Sequence, residues 1–501
     1  MEKASEGKKM TEQEKELLYK TNEELGEEEL KRISGLVALV KRGAELLCLL
    51  PEAREELEKD PDAFLGRYGL AGIDPDDLKL MFYPERGEEL KKKLTSPDFM
   101  DLISEAVYRY EQFVGNKLYL RNQMREVECV PLNKQMRIWR NRQIERCKGA
   151  LGGVNESFIH DVMNFELSRG CSVGCEFCGV GAEKLQKVFF HTEENAVLFR
   201  EVLKAAREIL GDAAGRGTLY LASEALDNPD YELFEADFYE EFGVIPQITT
   251  AVPLRKPERT HALLKELYSK KGFIHRFSLR SLKEARAVLA EFTPEELLKV
   301  ELIPQYEEAP AFVPFTVSGH ELEKRLMDGE EIPEQAGSIC CVDGFVVNMA
   351  EKSIRMITPC YADAEYPDGV AGPEKVFFEN ADEFREKLLF FIENYMVNEI
   401  PGDVPLEFYD YFECRQIQGK RALVSKHGQY TVFLDKMKEK GMQETIALLC
   451  QGKYNKREIV TQVMGQTGER PEKIFWFLNQ LWKLGVIRDP VLFPQKNEIG
   501  E

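Results

Sequence analysis

The stretch Val162-Met163-Asn164-Phe165-Glu166-Leu167-Ser168-Arg169-Gly170-Cys171-Ser172-Val173-Gly174-Cys175-Glu176-Phe177-Cys178-Gly179 decides how the rest of the chain is read. Val162 to Ser168 has the length and apolar content of a buried strand. Three cysteines spaced C-x3-C-x2-C follow it at once. Three thiolates can hold three irons of a [4Fe–4S] cube and leave the fourth iron without a protein ligand. An open coordination position is what a metal centre needs if a small molecule is to bind it. A zinc site would want a fourth ligand, and the nearest candidate, His191, lies beyond a helix-length stretch. Gly170 and Gly174 suit a loop that wraps tightly around a cluster.

Working outward, the texture alternates between strands and helices. Thr192 can cap a helix whose Val202, Ala205, Ala206 and Ile209 recur at i, i+3, i+4 and i+7 and which stops at Gly211. Further strands are expected at Thr218 to Ala222, Val244 to Val252, Phe273 to Leu279 and Lys299 to Gln305, with helices over 257–270 and 282–298. Strands separated by helices of this length imply right-handed βαβ crossovers and a parallel sheet, open or closed into a barrel. A late apolar pair, Ser338 to Asn348 and Ile354 to Thr358, completes the sheet or forms a hairpin beside it. Upstream, Leu36, Val37, Leu39, Val40, Leu46, Leu47, Leu49 and Leu50 make helical stripes, with Asp60-Pro61 and Asp74 to Asp77 as helix starts. Downstream, Ala422 to Lys426 and Gln429 to Leu434 flank His427-Gly428 like a hairpin. Asn455 with Glu458 opens one helix as a capping box. Ile474, Phe477, Leu478 and Leu481 mark the buried face of another, which ends at Gly485 before Val486-Ile487. Those are the parts of a winged helix. The chain therefore reads as an α/β protein with a helical domain over 1–130, an α/β domain over 131–404 and a winged-helix-like domain over 405–501.

The 501 residues are 43% hydrophobic and 31% charged, the balance of an ordinary soluble protein with a sizeable core. A net charge of −21 repels phosphate backbones and argues against nucleic-acid binding. The terminal helices add a weak basic excess: Lys456, Arg457, Arg470, Lys473 and Lys483 against Glu458, Glu469 and Glu472. The charged start, MEKASEGKKMTEQEKE, has no signal-peptide core, and no apolar run is long enough to span a bilayer. A cytoplasmic, membrane-free setting is expected, where eleven cysteines stay reduced and clustered thiols mean metal or redox chemistry.

The cysteine motif after a first strand and within a run of βα units resembles the radical S-adenosylmethionine superfamily. The resemblance implies a partial (β/α)6-type barrel in which Cys171, Cys175 and Cys178 ligate a [4Fe–4S] cluster. It implies that the open iron chelates S-adenosylmethionine, whose reductive cleavage yields a 5′-deoxyadenosyl radical. Phe177 falls where the family packs an aromatic against adenine. Ala222-Ser223-Glu224 stands where the family has Gly-Gly-Glu, which assigns Glu224 to the methionine ammonium although the glycines are missing. Arg276 and Ser278 on the fourth strand, and Thr249 with Thr250 on the third, fall where polar residues hold the cofactor. An external one-electron donor such as flavodoxin or ferredoxin is implied.

A closer resemblance, over most of residues 130–400, is to the proteusin-type radical peptide epimerases of ribosomal-peptide maturation. It is carried by Phe165-Glu166-Leu167-Ser168, Leu226-Asp227-Asn228-Pro229-Asp230-Tyr231, Gln247-Ile248-Thr249-Thr250-Ala251, Arg276-Phe277-Ser278, Gly344-Phe345-Val346-Val347-Asn348-Met349 and Ile357-Thr358-Pro359-Cys360. Such enzymes convert L-residues of a precursor's core to D-residues. Inversion needs a second hydrogen donor on the opposite face, and a weak S–H bond suits it, so a non-cluster cysteine is expected at the substrate. Cys48, Cys129, Cys147 and Cys450 read as small buried hydrophobes. Cys360, then Cys341, are the donor candidates on the late strands, and Cys340 cannot point the same way as Cys341. Cys340, Cys341, Cys360 and Cys414 also number enough for an auxiliary cluster, as in radical enzymes that cross-link peptides. The 405–490 segment resembles winged-helix peptide-recognition elements that take a leader peptide as an added strand. A radical peptide epimerase, another peptide-modifying radical enzyme, and a non-catalytic peptide-recognition protein are the three readings.

Overall fold

A computed structural model describes Met10 and residues 25–332, 337–418, 420–426, 430–433 and 440–494. The chain divides into two compact units, Met1–Asn122 with Gln247–Pro314, and Gln123–Pro246 with Phe315–Glu501. Each unit is made of two separate stretches, whereas the expected domains run consecutively.

In the first unit the N-terminal stretch is helical: α1 (Glu27–Leu49), α2 (Ala53–Lys59), α3 (Pro61–Arg67), α4 (Pro75–Phe82), α5 (Gly87–Leu94) and α6 (Glu105–Gln123). Asp60 and Asp74 cap α3 and α4 with a proline at the first turn, as the sequence indicates.

The second unit begins with α7 (Lys134–Leu151), β1 (Asp161–Glu166), β2 (Ser168–Arg169), β3 (Lys187–Val188), α8 (Glu193–Leu210) and α9 (Tyr231–Phe242). Thr192 caps α8 as expected. The expected strand at Thr218 to Ala222 does not form. Gly217 lies so close to β1 that an added Cβ would sit 1.9 Å from the Met163 carbonyl oxygen. The Phe165 N–H reaches the Thr218 carbonyl, and thereafter side chains of β1 replace the ladder. The Asn164 amide oxygen accepts from the Thr218 N–H at 2.7 Å, and Glu166 Oε1 from the Ala222 N–H at 2.7 Å.

The chain then supplies the first unit with β4 (Thr249–Thr250), α10 (Pro257–Ser269), β5 (His275–Leu279), α11 (Leu282–Glu291) and β6 (Val300–Pro304). These strands form a parallel sheet in the order β4-β5-β6. The fourth and fifth expected strands are present, and the third is reduced to two residues. One core joins Leu264, Phe277, Val288 and Val300 to Val40, Leu46, Leu50 and Leu57 of the N-terminal helices, which is why the two stretches form one unit.

Returning to the second unit, the chain forms α12 (Gly319–Asp328), β7 (Val342–Asn348), β8 (Ser353–Pro359), β9 (Val370–Ala371), β10 (Val376–Phe377) and α13 (Ala381–Tyr395). β1 pairs in parallel with β7, which pairs antiparallel with β8, so the late apolar pair joins the sheet that carries β1. The last segment adds β11 (Phe412–Ile417), β12 (Lys420–Ser425), β13 (Thr431–Phe433), α14 (Lys440–Leu449), α15 (Lys456–Thr467) and α16 (Pro471–Lys483). The expected hairpin is β12 with β13, its turn lying outside the described residues, and β11 adds a third strand. Asn455 and Glu458 close the expected capping box on α15. Buried Ile474, Phe477, Leu478 and Leu481 of α16 match the sequence reading. The segment is fastened to α7: Arg142 pairs with Asp489 at 2.6 Å, both buried, and its guanidinium lies 3.8 Å over the Trp482 ring. No helix among the described residues is long and apolar enough to cross a membrane.

Gly217→Ala should test the close approach. Overpacking against an immovable carbonyl costs about 1–3 kcal/mol or more, so urea unfolding should show a clear loss, whereas alanine at exposed Gly115, which has open space, should not.

Candidate functional site

The cysteine loop leaves β1, runs through β2 and returns along β3. The Cys171 N–H donates to the Glu183 carbonyl at 2.8 Å, and the Leu185 N–H to the Cys171 carbonyl at 3.1 Å. Gly170 holds φ +78°, and a Cβ there would meet the Lys184 carbonyl oxygen at 2.4 Å, so only glycine fits. All three thiols are half-buried. Backbone N–H groups face two of them, Val173 N–H to Cys171 Sγ and Ala182 N–H to Cys178 Sγ, each at 3.4 Å. Burial pushes the Cys171 thiol up; the Val173 N–H opposes this and the Glu224 and Asp227 carboxylates add to it. A bound cation would draw such protons off. Three half-buried thiols on one short loop, backbone donors aimed at two of the sulfurs and a tight glycine-based turn fit a group held by three thiolates.

Two other segments hold the loop. Asp227 accepts from the Ser172 N–H at 2.8 Å and from its hydroxyl, while Asn228 Nδ2 bonds the Leu167 and Phe189 carbonyls. Asp230 accepts from the His191 N–H, so the Leu226-to-Tyr231 string is a clamp on the loop and its return. From the other side, His320 N–H donates to the Cys178 carbonyl at 2.9 Å and Ser318 Oγ to the Gly179 carbonyl at 2.8 Å.

Among the expected cofactor residues, Phe177 stacks face to face on Phe315 at 4.2 Å. Glu224 is buried near the loop, its Oε1 accepting from the Leu226 N–H at 3.1 Å. Thr249, Arg276 and Ser278 belong to the first unit, where Thr249 pairs with Arg276 across β4 and β5 and Ser278 shares that face. Arg276 Nε bonds Glu301 at 2.8 Å.

A cavity of about 250 Å3 lies in the second unit beside the loop, walled by Glu166, Gly170, Cys340, Val346, Ile357 and Val370. Its charged lining is paired: Arg169 with Glu183 and Glu351, Lys375 with Glu351 and Arg355 with Asp368. Burial raises the Glu166 carboxyl, against hydrogen bonds from the Ala222 N–H and Asn348. The candidate donor cysteines separate, Cys340 and Cys341 lying just ahead of β7. Cys340 lines the cavity; Cys341 turns the other way, donating from Sγ to Asp161 at 3.2 Å and packing beside Cys147 and Phe158. Cys360 is buried just beyond β8, its N–H on the Gly369 carbonyl. Cys414 is exposed on β11, whereas Cys340 and Cys360 are buried. Cys129 and Cys147 are buried and Cys48 half-buried, but Cys450 is exposed, because it follows the last turn of α14 instead of sitting on its apolar face.

Cys147, His160 and Asp343 offer ligand atoms within 4.8 Å of one another, all buried. The Arg146 guanidinium stands 3.4 Å from Cys147 Sγ and 2.9 Å from Thr358 Oγ1, and Thr358 bonds Asp343. A fixed cation there already balances Asp343 and repels a metal ion. The sequence reading missed this network, Glu166 as a cavity residue, and the Ser318–His320 contacts. Glu166 lay within the quoted string; the others are single polar residues that periodicity does not single out.

No family model matches the chain. It is 32% identical over 354 residues, 70% of its length and 67% of the other's, to the uncharacterized protein y4wI of Sinorhizobium fredii (strain NBRC 101917 / NGR234). The chain belongs to the y4wI family. Among solved structures it resembles BtrN in complex with AdoMet and 2-DOIA, at 16% identity and a TM-score of 0.31, over 46% of this chain and 81% of that one.

Asp161 provides a pH test. Burial, against hydrogen bonds from Cys341 and its own backbone, raises its carboxyl to about 7. The folded chain then binds more protons than the unfolded chain between about pH 4 and 7, so stability falls as pH rises through that window, by at most about 1.4 kcal/mol per pH unit. Asp161→Asn should flatten this dependence in urea titrations from pH 5 to 8.

Proposed function

We propose that this chain is a radical S-adenosylmethionine enzyme that inverts L-residues to D-residues in a ribosomally made precursor peptide. The observation that carries the reading is the three-thiol loop, clamped from two sides, whose flanking residues Gly170 and Val180 to Glu183 border a cavity with Cys340 on its wall. Cys171, Cys175 and Cys178 would hold a [4Fe–4S] cluster, with Phe177 and Glu224 as cofactor-binding residues of the same unit. With S-adenosylmethionine bound, the cluster supplies a 5′-deoxyadenosyl radical. A thiol of this chain would return hydrogen to the opposite face of the α-carbon. Its S–H bond breaks as the new C–H bond forms, and one electron from an external donor such as flavodoxin or ferredoxin, with a proton, restores it. The cavity wall favours Cys340 for that role beside Cys360 and Cys341. Eleven cysteines, none of them in a disulfide, suit a reducing, cytoplasmic setting.

The test is anaerobic turnover in heavy water. The wild type should form 5′-deoxyadenosine and gain about one mass unit per D-residue, since a thiol carries one exchangeable hydrogen. The Cys171/Cys175/Cys178 triple alanine variant should lose cluster iron and both products. Cys340→Ala and Cys360→Ala should each retain cluster, and the donor's variant should form 5′-deoxyadenosine without D-residues. A D-residue without deuterium, or a cross-linked product, would overturn the epimerase reading.

The 405–494 segment is proposed as a winged-helix-like recognition module that takes the leader peptide along β11. Among the described residues no further strand pairs with the outer edge of β11, and Glu413, Cys414, Arg415 and Gln416 are exposed there. Deletion is a poor test, since removing Asp489 leaves Arg142 buried and unpaired at a cost of about 3–5 kcal/mol. A bimane label on Cys414 in a Cys450→Ser background should instead shift its emission when full-length precursor is added and stay unchanged with core peptide alone.

A further inference from the structure

We propose that Arg146 is a positioning residue that sets the end of β8 and ties it to the C-terminal segment; its consequence for catalysis rests on the radical-epimerase reading above. Cys360 follows directly on β8, and Ile357 near the end of that strand and Val370 of β9 beside it line the cavity, so the last residues of β8 border the candidate site. Pro359 occupies the strand's final position and has no N–H to give to a ladder. β9 pairs with Thr358 and Pro359 on one side, and Arg146 adds a second hold from α7. Its Nη2 donates to the Pro359 carbonyl and to Thr358 Oγ1 at 2.9 Å. Its Nε donates to Gln143 Oε1 at 2.6 Å, one turn back on α7.

Thr358 is held from the other side as well. Its hydroxyl bonds Asp343 on β7, and Asp343 bonds His160 at the start of β1. The order of attachment is therefore His160, Asp343, Thr358, Arg146, linking the edge of β1 through β7 and β8 to α7. The Arg146 guanidinium also lies 5.1 Å over the Phe493 ring, near the end of the described chain. A planar fork can bond two acceptors on a strand while stacking on an aromatic ring, whereas an ammonium cannot do both. Arg146 is 1% exposed, so its guanidinium finds its partners in the protein alone, Cys147 Sγ at 3.4 Å included.

Three variants in the full reconstituted chain test the proposal. Thr358→Val keeps the shape and removes the hydroxyl, Thr358→Ser restores it, and Arg146→Lys keeps the charge without the fork. Iodoacetamide labelling of Cys360, followed by peptide mass spectrometry, should be about tenfold faster in Thr358→Val and Arg146→Lys, the scale of one lost buried hydrogen bond. It should return to the wild-type rate in Thr358→Ser. The ratio of 5′-deoxyadenosine to D-residues should rise several-fold in the first two at unchanged cluster content and recover in Thr358→Ser. Unchanged labelling would overturn the positioning role. Equal loss of both products at a constant ratio would reduce Arg146 to a structural residue and also overturn it. If the wild type makes 5′-deoxyadenosine but no D-residues, the epimerase reading fails, and the labelling comparison alone decides the role of Arg146. Should Thr358→Val not fold, Arg146→Lys against Arg146→Gln makes the same comparison.

Discussion

Buried backbone N–H groups have to find acceptors, and the second unit depends on how β1 meets that requirement. One side of β1 pairs with β7 in the ordinary way. On the other side the chain approaches too closely at Gly217 for a side chain, and Asn164 and Glu166 reach across to accept the N–H groups of Thr218 and Ala222. A strand position is thereby filled by an irregular segment. That irregularity leaves Glu166 facing a cavity, with Ala222-Ser223-Glu224 turned toward the cysteine loop. Glu166 is also joined by Asn348 of β7, so one carboxylate links the three parts that border the cavity.

The second constraint is charge burial on α7. Arg140, Arg142 and Arg146 are each almost wholly buried, and each is spent on a different partner. Arg140 bonds the His160 carbonyl before β1, Arg142 pairs with Asp489, and Arg146 holds the end of β8. Burying a guanidinium is costly unless it is paired or bonded, so three on one helix fix what may pack against it. A module used to bind a leader peptide would here be an integral part of the unit that carries the cysteine loop. The Asp227 clamp on Ser172 fixes the cysteine loop in a similar way.

The sequence by itself determined the elements whose signals are local. Caps at Asp60, Asp74, Thr192 and Asn455, the strands at β1, β5 and β6, the late pair β7 and β8, and the hairpin before the last helices all follow from patterns a few residues long. The three-cysteine loop was legible for the same reason, since its spacing is its chemistry. Tertiary structure alone decided the rest. Thr218 to Ala222 has strand composition and yet is no strand, because the neighbour's side chains satisfy its backbone. Residues 247–314 share a core with the N-terminal helices, a choice made by contacts far apart in sequence. Cys340 faces the cavity and Cys341 faces α7 just ahead of β7, where the pairing of β7 with β1 shifts register between Asp161 and Met163. Alternation along a strand tells that two neighbours point apart; only the packing of the sheet says which of them meets the site.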